Sequence, residues 1–137
     1  MRIGGPMPDF RAWDIIKIPF PYTNRPVRER RPALVVAADG VLKLQGLLWV
    51  LMITSSENRP WSGDVAVSDL GMAGLPAPSV VRTAKIATIE TKESERIGDL
   101  PDADRIAVSR YIQETMAGVV HDQPREQIRI QQDPHQA

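Results

Sequence analysis

The stretches Glu29-Arg30-Arg31-Pro32-Ala33-Leu34-Val35-Val36-Ala37-Ala38 and Leu47-Leu48-Trp49-Val50-Leu51-Met52-Ile53-Thr54-Ser55-Ser56 decide the fold. Each holds a short apolar run of the length and composition of a buried strand. Arginines stand at the mouth of the first run, and hydroxyls close the second. If the two strands pair, guanidinium and hydroxyl groups meet at one edge of a small barrel. That combination suits a phosphodiester.

Working outward, Asp14-Ile15-Ile16-Lys17-Ile18 predicts a strand before these two, stopped by Pro19-Phe20-Pro21. Short extended pieces follow at 64–67, 79–82 and 85–89, with turn residues between them. Several short strands with turn chemistry predict a mainly β fold, a compact and strongly curved barrel. One helix is predicted near the end. Asp102 is its expected N-cap, and Val108, Ile112, Thr115 and Val119 form its face, widened by Tyr111 and Met116. At 137 residues the chain fits one domain, 13–120. It carries a loose lead-in, 1–12, and a polar tail, 121–137, expected to be disordered or weakly helical.

The 17 basic and 17 acidic side chains balance, but unevenly along the chain. Residues 1–60 hold nine Lys/Arg against five Asp/Glu, and the rest hold eight against twelve. A positive front half is compatible with a polyanionic partner. With no cysteine, disulfides, thiolate nucleophiles and Cys-based zinc sites are excluded. The start, Met1 to Pro8, lacks the apolar core of a secretory signal. The run Leu47–Ile53 falls far short of the roughly 18 residues that span a bilayer. The expectation is a soluble, cytoplasmic protein without a membrane partner.

Arginine donates two parallel hydrogen bonds from a planar fork and stays charged, which suits phosphate. Arg31 and Arg30 sit at the strand mouth, with Arg25 and Arg28 in the loop before it. Thr54, Ser55 and Ser56 can hydrogen-bond a phosphate oxygen or satisfy a strand end. Trp49 reads as core. Trp61, between Pro60 and Ser62, reads as exposed and able to stack on a base, and Lys85 adds a cation. The two histidines, His121 and His135, lie in the tail, so no histidine acid–base pair sits on the core. Glu90, Glu93 and Glu95 read as a solvated acidic loop, so neither metal nor cofactor is expected.

In order and spacing, a set of short pieces resembles the MazF/PemK toxins of bacterial toxin–antitoxin systems. They are Asp14-Ile15-Ile16, Phe20-Pro21-Tyr22-Thr23, Arg30 to Val36, Ile53-Thr54-Ser55-Ser56, Gly63-Asp64-Val65, Ala73-Gly74-Leu75, Pro78 to Arg82 and Ile97-Gly98-Asp99-Leu100. The resemblance runs from about Asp14 to Val119. It implies an SH3-like β-barrel with a C-terminal helix, built as a homodimer. It also implies a metal-independent, sequence-specific endoribonuclease acting on single-stranded RNA and mRNA, an mRNA interferase that inhibits growth and is blocked by an antitoxin. By the same resemblance, catalysis falls on Arg31 and Thr54, with Ser55 beside them and Arg82 as a further arginine. The chain departs from its relatives twice. Asn24-Arg25-Pro26-Val27 replaces a Gly-Ser-Glu-Gln-like loop, and Ala84 stands where some relatives have an aspartate. The general base is therefore unassigned, with Glu29 and Glu57 the nearest acids. Two other classes stand beside this reading: a CcdB-like poison of DNA gyrase, and a non-catalytic barrel that binds RNA or an antitoxin.

Overall fold

A computed structural model describes residues 9–20 and 29–120. In chain order the elements are β1 (Asp14–Phe20), β2 (Glu29–Ala37), α1 (Val41–Gln45), β3 (Leu47–Ser55), β4 (Asp64–Ala66), α2 (Leu70–Ala73), β5 (Ser79–Glu90), a 3-10 turn (Thr91–Glu93), β6 (Glu95–Asp99) and α3 (Asp102–Val120). Arg25, Arg28, the tail 121–137 and most of the expected lead-in lie outside the described residues.

The fold is mainly β with a C-terminal helix. The strands form one antiparallel sheet in the order β4-β5-β3-β2-β1-β6. Among the described residues the two edge strands, β4 and β6, do not pair with each other, so the barrel expected from the sequence is not closed by hydrogen bonds. Register shifts at Ile15/Ile16, Val35/Ala37 and Leu51/Ile53 bend the ladders instead.

The two central apolar runs are continuous because both faces of the sheet are buried. Ala33, Val35, Val50 and Met52 join Ile16, Ile18 and Phe10 in one cluster. Leu34, Leu51, Ile53, Val65 and Val81 join Ile15, Leu100 and Val108 in the other, beneath α3. Phe10 is buried although its segment reads as a loose lead-in.

Several elements differ from expectation. β2 begins at Glu29, so Arg30 and Arg31 are laddered residues, opposite Pro19 and Ile18 of β1. β5 is one strand of 12 residues in place of two. α1 follows Asp39-Gly40, with Gly46 in the left-handed conformation that stops it. α2 is capped by the Asp69 carboxylate, which accepts from the Met72 N–H. α3 starts at Asp102 itself, and the Pro101 carbonyl accepts from the N–H groups of Asp104 and Arg105. Asp104 ties this helix end to the loop after β4 by accepting from the Ser68 N–H and hydroxyl, at 2.8 and 3.0 Å.

The expected face of α3 is buried only near its start. Val108 is fully buried and Ile112 partly so, whereas Thr115 and Val119 are exposed. The outer half of the helix overhangs an apolar groove of about 610 Å³, lined by Trp49, Leu51, Ile86, Tyr111, Met116 and Val120. Trp49 therefore lines a groove and does not fill the core; it is 40% exposed. No helix among the described residues is long and apolar enough to cross a membrane.

Candidate active site

β2 and β3 pair with Ala33 opposite Met52 and Leu34 opposite Leu51. Continued two residues past Ala33, this register sets Arg31 in line with Thr54. Side chains alternate along a strand. Arg31 therefore shares the face of Ala33 and Met52, the face away from α3, and so does Thr54. On the far side Thr54 pairs with Val80 of β5. Arg82 follows two residues on, opposite Asp64 of β4. Arg31, Thr54, Arg82 and Asp64 thus lie across one face of four adjacent strands.

Each has a defined setting. The Arg31 side chain is one-third exposed, with its Nη1 3.7 Å from a Glu29 carboxylate oxygen. Thr54 is partly buried, and its Oγ1 accepts from the Asn58 side-chain amide. Arg82 is buried. Its Nε and Nη2 donate to the two Asp64 oxygens at 3.1 and 3.0 Å, and Nη2 also donates to the Arg59 carbonyl at 2.8 Å. Its guanidinium lies 4.3 Å from the centre of the Trp61 ring. Burial alone would raise the Asp64 carboxyl. The Arg82 hydrogen bond, the Trp61 N–H and the Arg82 charge outweigh it and hold Asp64 below its ordinary value.

The remaining candidates are placed elsewhere. Arg30 alternates away from Arg31, and its Nη2 donates to Glu95 of β6 at 3.0 Å. Alternation also turns Ser55 from Thr54, and its hydroxyl accepts from the Glu57 N–H in a local turn. Ser56 is exposed and its N–H donates to the Pro78 carbonyl. Lys85 is exposed on β5. Trp61 is 44% exposed and carries the Arg82 guanidinium on its ring. Sequence reasoning missed Asn58 and Asp64. The Asp64 signal was present in Gly63-Asp64-Val65, whereas nothing marks Asn58. Among the described residues no group of three or more His, Cys, Asp or Glu could hold a metal ion.

A family model for PemK-like, MazF-like toxins of type II toxin–antitoxin systems matches residues 11–116. The chain belongs to this family. Its fold is also that of solved structures. A MazE–MazF crystal structure from Deinococcus radiodurans is similar at 20% identity and a TM-score of 0.59, over 82% of this chain and 97% of that one. The Mycobacterium tuberculosis toxin MazF-mt6 is similar at 24% identity and a TM-score of 0.54, over 76% and 94%. A mycobacterial endoribonuclease in complex with its cognate antitoxin is similar at 13% identity and a TM-score of 0.57, over 77% and 93%. A search of curated sequences gives no match. Arg31 and Thr54, the arginine and hydroxyl that the resemblance singled out, lie on adjacent strands just beyond Ala33 and Met52, the last paired residues of the β2–β3 ladder.

Proposed function

We propose that this chain is the toxin of a toxin–antitoxin pair and a metal-independent endoribonuclease. Its substrate is single-stranded RNA, cut by attack of the substrate's own 2′-hydroxyl, and its effect is to inhibit translation and growth. The reading is carried by the placement of Arg31 and Thr54 on the same face of two adjacent strands, with Arg31 beside the Glu29 carboxylate.

Arg31 holds the scissile phosphate with its fork and offsets the charge that builds on phosphorus. The Thr54 hydroxyl donates to a non-bridging oxygen, with Ser55 as its neighbour at the strand end. Glu29 takes the proton from the 2′-hydroxyl, the role left open by Ala84; as the 2′-oxygen bonds to phosphorus the P–O5′ bond breaks, leaving a 2′,3′-cyclic phosphate, and the departing 5′-oxygen takes its proton from water. Arg82 supports the site from beneath. Its Nε and Nη2 are committed to Asp64 and the Arg59 carbonyl, so its share is to fix the 59–64 loop. Ser56, Trp61 and Lys85 are proposed RNA contacts, as are Arg25 and Arg28 of the preceding segment, whereas Arg30, turned from Arg31 and bonded to Glu95, is not.

The antitoxin partner is proposed by similarity to the mycobacterial endoribonuclease in complex with its cognate antitoxin and to the MazE–MazF structure. A homodimer is proposed because the apolar groove under α3 leaves large side chains uncovered. A cytoplasmic location follows from an RNA substrate. The deciding experiment is cleavage of long single-stranded RNA in EDTA by wild type, Arg31→Ala and Glu29→Gln. Cleavage by wild type, with both variants impaired but folded, supports the assignment. No cleavage by wild type across several RNAs removes it.

A further inference from the structure

We infer that Asn58 is a positioning residue that orients the Thr54 hydroxyl. The Asn58 side-chain amide nitrogen lies 2.5 Å from Thr54 Oγ1. A threonine hydroxyl has one proton to donate and lone pairs to accept with. With Asn58 donating into a lone pair, the Thr54 proton is left for an outside acceptor such as a phosphate oxygen.

The turn that carries Asn58 is braced on both sides. Its N–H donates to the Ser55 carbonyl, and the Ser56 N–H donates to the Pro78 carbonyl. One residue further, the Arg59 carbonyl accepts from buried Arg82. Trp61 lies against the same guanidinium, and its N–H donates to Asp64 at 2.9 Å. Arg82 therefore reaches Thr54 through the loop: it fixes residues 59–64, and these fix Asn58 above the hydroxyl.

This inference rests on the reading of Thr54 as a phosphate donor. Its test compares wild type, Asn58→Ala and Asn58→Asp in RNA cleavage across pH, beside the Asn58 side-chain amide resonances in wild type and Thr54→Val. Asn58→Ala should lower kcat about fivefold, the size of one neutral hydrogen bond, with KM and the melting temperature little changed. In Asn58→Asp the ionised carboxylate only accepts, so it draws the Thr54 proton away from the substrate. Protonated, the same carboxyl donates as the amide does. The Asn58→Asp rate, relative to wild type, should therefore rise as pH falls from about 8 towards about 4, the carboxyl range.

A merely structural Asn58 would lower stability and give a ratio flat in pH, which overturns the inference. So does an Asn58→Ala enzyme with unchanged kcat. If wild type cuts no RNA, the proposed function fails separately. The amide resonances then still decide whether Asn58 is bonded to Thr54, and an unchanged spectrum in Thr54→Val overturns the contact itself.

Discussion

The two carboxylate oxygens of Asp64 grip the guanidinium of Arg82 from Nε and Nη2, at 3.1 and 3.0 Å, across the β4–β5 ladder. Both side chains are nearly nine-tenths covered. Between them they tie a three-residue edge strand to the longest strand of the sheet and hold the loop that leads back to Thr54. This pair is a joint between the fold and the site.

Breaking that joint should be costly. Arg82→Ala leaves the Asp64 charge covered and without its partner, a loss of about 3 kcal/mol in stability. Arg82→Lys keeps the charge but not the fork, so it should fall between alanine and wild type. Urea unfolding of the three proteins measures the order. Equal stabilities would show that the pair is only a surface contact.

The same pair sets an acid dependence. The Asp64 carboxyl is held below its ordinary value in the folded chain. A depressed carboxylate contributes stability that is fully present above its unfolded value, about 3.9, and is lost as pH falls through the lower, folded one. Asp64→Asn should therefore be less stable than wild type at neutral pH. The gap should close below about pH 4. Thermal melts from pH 7 to pH 2.5 read this directly, and a gap constant in pH would contradict the assignment.

Arg31 tests the chemistry apart from the fold. Its side chain is one-third exposed, and its ladder neighbours keep their backbone bonds without it. Arg31→Ala should leave the circular dichroism spectrum unchanged and cut the cleavage rate about a hundred- to a thousandfold, the size of one lost transition-state donor. Arg31→Lys should recover part of the rate, because a point charge still attracts phosphate while the bidentate geometry is gone.

What the sequence disclosed follows from how far apart the causes lie. The β2 and β3 runs were legible because burial on both faces writes unbroken apolar sequence. Arg31 and Thr54 were legible because each flanks such a run. α1 and α2 were not, since four or five residues make barely one helical turn and cannot display its period, and β6, Glu95-Arg96-Ile97-Gly98-Asp99, carries no apolar alternation. Thr83-Ala84 divided β5 into two in the sequence, and the structure places an irregular register there, between Val81 and Ile86. The role of Arg82 stayed hidden because its partner stands 18 residues away and is fixed only by strand register. Asn58 stayed hidden because an asparagine in a turn is ordinary.

Two of the pieces that carried the family resemblance, Ala73-Gly74-Leu75 and Ile97-Gly98-Asp99-Leu100, prove to be one contact. A Cβ on Gly98 would stand 2.3 Å from the Ala73 carbonyl carbon and 2.4 Å from its oxygen. A Cβ on Gly74, where φ is +73°, would meet the Ile97 oxygen. Backbone meets backbone here, so no side-chain rotation can relieve the clash. The α2 turn is fixed by its Asp69 cap, and Ala73 is fully buried. Gly98→Ala should therefore cost about 3 kcal/mol through overpacking. Gly118→Ala is the control. It lies within α3, and an added Cβ there meets nothing within 4 Å. Alanine is the better helix former, so that change should raise stability by about 0.5 kcal/mol. Denaturant midpoints that move in opposite directions for the two variants would establish the α2–β6 contact as a fixed seam of the fold. A Gly98→Ala protein as stable as wild type would mean that α2 can lift from β6 without loss.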